Sequence, residues 1–275
     1  MIGGYYYYQS IDRNPKDLAN AAPTITDQES NEELTMSDVL DMAQAARDHL
    51  STTLNDYTAR FVKQELDNNG VLGPESEILM KVQTRLRNES NDAPMRVYMA
   101  FNTPQNVKGR EVIWGADLYD GKMAVHEVGL LLGFKTLWLD PTGFLAMQGQ
   151  KFPISEIGIL KLIDKLIERG ELDRDNPDIS VTVIPDQKID ETPTQVIQIR
   201  RSKPSDNEDD FSLAEIVLDP ERQLILSYRA FGWPAQKGDD PPLMESYTYH
   251  DVKTNVGLKK SDFDPKNPEY NFPAI

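Results

Sequence analysis

The sequence predicts an α+β protein built on a strongly curved antiparallel sheet, with helices covering its concave face. Three observations carry this. Apolar and polar residues alternate with period two through most of the chain, as in strands with one face on a core and one face wet. The connections between these segments are short, which requires antiparallel pairing because parallel pairs need long crossovers. Only two segments have helical period, and two helices can cover one face of roughly nine or ten strands but not both.

The expected organisation is an N-terminal tether over residues 1–34, disordered or extended, and a β-rich domain over 35–275 with helices near 36–55 and 155–169. Met1-Ile2-Gly3-Gly4 runs into Tyr5-Tyr6-Tyr7-Tyr8, and tyrosine is enriched where protein meets the membrane–water interface. Two readings stand: the chain begins just after a removed signal or anchor helix, or the run is an unstructured terminus or cloning scar. Residues 9–34 are polar and acidic, with Asp27, Glu29, Glu32 and Glu33. They bury too little apolar surface to offset ordering entropy.

Thr35 can cap the first helix, with Asp38 favouring the positive end of the dipole. Val39, Leu40, Met42, Ala43, Ala46, Leu50 and Leu54 form its apolar stripe. From Tyr57 the period becomes two: Tyr57, Ala59 and Phe61 alternate with Thr58 and Arg60. Asn68-Asn69-Gly70 is a turn signal. Ile78, Met80, Val82 and Leu86 share one face of the next strand, and Val97, Met99 and Phe101 one face of a third. Glu111–Trp114 and Lys122–His126 flank a hairpin turn at Asp117–Gly121. The apolar stretch Val128–Leu139, broken by glycines and Lys135, reads as a buried strand or hairpin. Asp140-Pro141-Thr142-Gly143 then closes it as a turn, proline presetting φ and glycine accepting a positive one. The second helix takes Ser155 as cap, Ile159, Leu160, Leu162, Ile163, Leu166 and Ile167 as buried face, and Gly170 as stop. Strands resume at 179–184, 195–200, 214–218 and 223–228, and the last runs from about Glu245 to Thr254.

Composition removes several function classes. The formal charge of −16 repels phosphate backbones, so no nucleic-acid partner is expected. With no cysteine, disulfides, thiol catalysis and cysteine-ligated metal are excluded. No apolar run approaches the roughly 20 residues of a membrane span. The chain lacks a P-loop, a dinucleotide fingerprint, a nucleophile elbow and His-Glu-x-x-His, so neither cofactor nor catalytic residue is assigned. The histidines His49, His126 and His250 fall on different elements, and His126-Glu127 reads as an ordinary pair rather than a metal ligand set. Asp117 with Asp120, and Asp206, Glu208, Asp209 and Asp210 in one loop, lack calcium-loop spacing and read as solvated turns. No metal site is expected.

The apolar inventory is more suggestive. Phe61, Val97, Met99, Phe101, Trp114, Phe134, Trp138, Phe144, Phe152 and Trp233 fall in or beside the expected strands. They are either ordinary core or, in part, the lining of a gap between a curved sheet and its helices, and such gaps hold apolar ligands. Phe61, Val97, Met99, Phe101, Trp114, Trp138 and Phe144 are taken as the cavity candidates.

Longer strings carry a resemblance. Tyr57-Thr58-Ala59-Arg60-Phe61-Val62-Lys63-Gln64-Glu65, Gly109-Arg110-Glu111-Val112-Ile113, Asp120-Gly121-Lys122, Leu139-Asp140-Pro141-Thr142-Gly143 and Pro153-Ile154-Ser155-Glu156-Ile157-Gly158 follow in order. Glu245 through Leu258 and Asp262-Phe263-Asp264 close the set. Over about residues 37–265 this resembles a bacterial family of secreted or envelope proteins known only as a domain of unknown function (number 1571). The order of elements is also similar to the outer-membrane lipoprotein carrier (LolA/LolB-like) fold. That likeness implies an unclosed barrel with helices in its mouth and an apolar cavity for acyl chains. The expected location is periplasmic or extracytoplasmic, with a membrane anchor in a segment outside this sequence on the first reading of the tyrosine run. The implied partners are a lipid or lipidated protein and an envelope protein.

Three functions compete. The first is a non-enzymatic envelope binding protein holding an apolar or lipid-like ligand. The second is a protein-interaction scaffold or envelope sensor without a small ligand. The third is a hydrolase with an unrecognised site.

Overall fold

The computed structural model describes residues 34–67, 69–84, 94–129, 133–205, 210–236 and 238–273. The expected tether, apart from Leu34, and the Tyr5–Tyr8 run lie outside the described residues. So do Leu86 of the second expected strand and Asp206, Glu208 and Asp209 of the acidic loop.

Alternation places eleven strands among the described residues: β1 (Asp56–Glu65), β2 (Ser76–Gln83), β3 (Arg96–Phe101), β4 (Glu111–Gly115), β5 (Met123–His126), β6 (Thr136–Leu139), β7 (Ile179–Ile189), β8 (Thr192–Arg201), β9 (Leu213–Asp219), β10 (Leu224–Phe231) and β11 (Leu243–Thr254). They form a single sheet of order β6-β5-β4-β3-β2-β1-β11-β10-β9-β8-β7, and all of its pairs are antiparallel. The edge strands β6 and β7 do not meet, so the barrel is unclosed. Register shifts in the β1–β11, β9–β10, β10–β11 and β7–β8 ladders bend the strands as bulges do.

Helix α1 (Met36–Thr53) begins with a reciprocal capping box in which Thr35 and Asp38 each accept from the other's backbone N–H, satisfying two otherwise orphaned donors. Helix α2 (Phe144–Met147) is a single turn that period analysis did not resolve. Helix α3 (Ile159–Glu171) departs from expectation at both ends. Ser155 sits in a separate 3-10 turn, Ile154–Glu156, and Gly158 is the cap. The reason is steric: Gly158 has φ of 108°, and a Cβ there would stand 2.9 Å from the Tyr57 hydroxyl. Nor does Gly170 end α3. It lies inside the last turn, where a Cβ would meet Met36 Cε at 2.7 Å and Leu40 Cδ2 at 2.8 Å. This glycine is what lets α1 and α3 approach closely.

The 13 residues of α3 span roughly 20 Å, matching about four strand spacings of ~4.8 Å. The helix uses that length to cross the sheet. At its start the Ile159 N–H donates to the Tyr57 hydroxyl of β1 at 3.1 Å. Just past its end, Asp173 accepts from Arg201 of β8 at 2.5 Å.

The outer face is not simply wet. Tyr98, Ile113, Leu118, Ala124 and Phe263 form a second buried cluster. The chain beyond β11 covers it: Tyr270 stacks on Tyr98 with centroids 4.0 Å apart, and the Asn271 N–H donates to buried Glu111 at 2.8 Å. The tip of the β7–β8 hairpin also reaches β11. There Asp190 lies 3.0 Å from His250 Nδ1 and accepts from the Asp251 N–H at 3.0 Å. Among its described residues the stretch Val128–Leu139 supplies the edge strand β6, with Phe134 exposed rather than buried.

Candidate functional site

The two halves of the inner face carry different side chains. In the first half, in-register rows run Tyr57–Val82–Val97–Trp114, Ala59–Met80–Met99–Val112 and Phe61–Ile78–Phe101. Large rings and methionines occupy nearly every row and pack closely, leaving only about 90 Å³ beside Tyr57 and Val82 and a small space beside Phe61. In the second half the rows are Ile197–Ile216–Tyr228 and Ile199–Ala214–Ala230. Opposite them α1 presents Ala43, Ala45 and Ala46, and α3 presents Gly170. Small groups facing short aliphatic ones leave a cavity of about 500 Å³ between α1, α3 and β8–β10. That volume is within the roughly 300–1,000 Å³ of small-molecule sites.

Its walls are mostly aliphatic, with Met42, Leu166 and Leu218 completing them. The polar groups that reach it are held elsewhere. Arg201, buried, is paired with Asp173 at 2.5 Å and Asp210 at 3.4 Å, and its guanidinium lies 5.0 Å from the Phe211 ring. Asp210 also accepts from the Trp233 indole at 2.6 Å. Although burial raises its pKa, the bonds from Trp233 and Ser205 and the Arg201 charge hold the Asp210 carboxyl below its ordinary value. Arg169 donates to buried Glu245 at 2.8 Å, and Lys151 does the same at 2.8 Å. Burial again opposes ionisation, but the two cations outweigh it and depress the Glu245 pKa. Tyr247 donates to Glu65 at 2.6 Å and to Glu245 at 3.1 Å. Burial and those two carboxylates push its phenol far above the usual range, which leaves it a hydrogen-bond donor and not a base.

A smaller cavity, about 70 Å³, adjoins the first. Leu166, Arg169 and Tyr228 line both and form the shared wall.

The seven sequence-derived cavity candidates fall elsewhere. Val97, Met99, Phe101 and Trp114 are buried in the filled first half. The Trp114 indole donates to the Gly121 carbonyl at 3.1 Å. Phe61 lines the small cavity. Trp138 is 39% exposed and leans on Tyr119, and Phe144, on α2, is 84% exposed. None of the seven lines the large cavity. The physical reason is volume: bulky rings fill space, and the void lies where residues are small. The residues that do line it, such as Ala43, Ile197, Ile199 and Ala214, read in sequence as routine helix and strand positions. The available signal was the run of alanines on α1 facing a glycine in α3.

Among the described residues no group of three or more His, Asp or Glu side chains converges as a metal site. The Asp140 carboxylate accepts from the N–H and hydroxyl of Thr142 at 2.8 Å each, so Asp140–Gly143 is a turn. No helix among the described residues is long and apolar enough to cross a membrane.

Several solved structures are similar to the chain, among them the following three. A DUF1329 family protein from Desulfovibrio piger ATCC 29098 shares 12% identity, covering 84% of this chain and 98% of its own, with TM-score 0.38. A putative outer membrane lipoprotein-sorting protein domain from Vibrio parahaemolyticus shares 11% over 82% and 95%, with TM-score 0.36. A LolA superfamily protein from Nitrosomonas europaea shares 8% over 84% and 98%, with TM-score 0.32. Overlaps at these TM-scores are long but loose. No curated protein matches the chain. The model of the family described as protein of unknown function (DUF1571) matches residues 54–272, most of the chain, and the chain therefore belongs to that family.

Proposed function

We propose that this protein is a non-enzymatic binding protein that holds an apolar, lipid-like ligand between α1, α3 and β8–β10. The observation that carries the proposal is the size and lining of the cavity. It measures about 500 Å³, opens to solvent beside exposed Met42 and Leu172, and is walled mostly by aliphatic side chains. An apolar occupant removes that aliphatic surface from water, which is favourable by roughly 25 cal/mol per Å². The binding reading also fits the polar groups around the cavity, which are engaged in ion pairs rather than poised around a reacting atom. A lipid or a lipidated protein is the ligand class, and a periplasmic or other extracytoplasmic location belongs to the same proposal.

Native mass spectrometry of protein taken from its own envelope, with solvent extraction, tests this. The expected result is a stoichiometric lipid or acyl adduct that Ala214→Phe abolishes. A clean apo mass, with no thermal stabilisation by palmitate or lysophospholipid, would refute it.

One observation favours a second reading, a protein-interaction scaffold. Phe134, Phe144 and Leu145, on the segments flanking edge strand β6, are each more than 60% exposed. Clustered exposure of large apolar groups marks contact surfaces. Crosslinking in native envelopes, with F144S/L145S as control, tests it. An envelope-protein adduct lost in the variant supports this reading, and identical adducts in both proteins contradict it.

A further inference from the structure

We infer that the ligand is an amphiphile with an anionic headgroup, its chain in the large cavity and its head in the small cavity behind Arg169 and Tyr228. This rests on the binding proposal above and deepens it. The carrying observation is a local reversal of charge. The chain as a whole bears −16, yet Lys63, Lys161, Lys165 and Arg169 line the small cavity, and together with Lys151 they face only Glu65, Glu156 and Glu245. Positive potential concentrated in a cleft of an otherwise acidic protein selects anions locally while the rest of the surface repels them.

The arrangement has a direction. The large cavity is aliphatic, and its other arginine, Arg201, is already enclosed by Asp173 and Asp210. That ion cluster carries an excess of carboxylate and disfavours an anion. Around the small cavity the cations are braced instead. Lys165 is held by Glu156 at 2.9 Å and lies 5.1 Å from the Phe152 ring, and Lys63 by Glu65 at 2.8 Å. The start of α3 adds to this, since Gly158 and Lys161 both line the cavity and a helix N-terminus carries partial positive charge. Leu166, Arg169 and Tyr228, in the shared wall, are the point where a chain would become a head. A carboxylate and a phosphate satisfy the same donors, so both headgroups fit this chemistry.

Displacement of a neutral fluorescent dye by palmitate, hexadecyl phosphate and 1-hexadecanol tests the inference, because the three share one chain length. The expected result is that at least one anion binds roughly tenfold or more tighter than the alcohol, and the tighter anion identifies the head. In K161Q/K165Q that preference falls to about twofold or less while hexadecanol binding and thermal stability hold. Equal affinity for all three in the native protein would overturn the inference and leave the apolar binding proposal standing. Equal loss of all three in the variant, with stability unchanged, would also overturn it. Failure of all three to bind the native protein would overturn both.

Discussion

The half-sheet β1–β6 and the half-sheet β7–β11 are built on the same alternation and both bury apolar inner faces, yet the large cavity lies under the second alone. The first presents Phe61, Met80, Met99, Phe101 and Trp114 to the interior and keeps only about 90 Å³ beside Tyr57 and Val82. In the second, β8 and β9 present isoleucines and alanines under a helix that answers with more alanines. What separates packed core from cavity is side-chain volume per row. Hydrophobicity is common to both and cannot tell them apart.

Substitutions of equal size should act differently in packed core, at the sheet edge and over the large cavity, and the tryptophans of β4 and β6, both in the first half, give the largest contrast. Trp114, 8% exposed, should cost about 3–5 kcal/mol on truncation to alanine, read as a shift in the urea midpoint. Trp138 to alanine should cost about 1 kcal/mol or less. Similar losses at both positions would break the comparison. Next come two alanines enlarged in the same way. Ala59→Phe, in the filled half, should cost about 1–3 kcal/mol by overpacking. Ala214→Phe, facing the void, should leave thermal stability near native while abolishing uptake of a fluorescent fatty acid. Equal destabilisation would mean that the second half has no room.

A smaller effect is set by pH at the boundary between the halves. The folded-state pKa of Glu245 is depressed below its ordinary 4.5 by Arg169 and Lys151, which outweigh the opposing effect of burial. A depressed carboxylate contributes stability above its unfolded pKa and loses it as pH falls through the folded one. Urea midpoints should therefore fall as pH drops below about 4.5, and E245Q should flatten that decline. An unchanged slope in E245Q would remove Glu245 from the account. The smallest effect belongs to Thr35→Ala, expected to cost about 1 kcal/mol by loss of the α1 capping box. Its sharper readout is faster exchange of bound lipid if α1 closes the cavity.

Much of the sheet was legible in the sequence because period-two alternation is a local signal. Strand faces such as Tyr57–Ala59–Phe61 and Val97–Met99–Phe101 could be written before the strands were paired. Helix boundaries were less so. Ser155 looked like a cap and Gly170 like a stop, but both glycines of α3 answer to tertiary contacts, Gly158 with Tyr57 and Gly170 with Met36 and Leu40. The outer covering by Tyr270 and Asn271 was not seen, because neither residue lies in a periodic segment. The cavity was least legible. Its walls come from Ala43, Ile163 and Ile216, far apart in the chain, and what defines it is absence of volume. Aromatic residues attracted the assignment because they are conspicuous, and for the same reason they fill the half that has no room.

The most direct test uses palmitate carrying a diazirine near its chain terminus, photolysed in complex with the protein and mapped by peptide mass spectrometry. The account predicts insertion around the large cavity, into α1 and β8–β10, at residues such as Met42, Ile197 and Ile216. Insertion around Met99, Phe101 and Trp114, or only at the exposed Phe144, would contradict it.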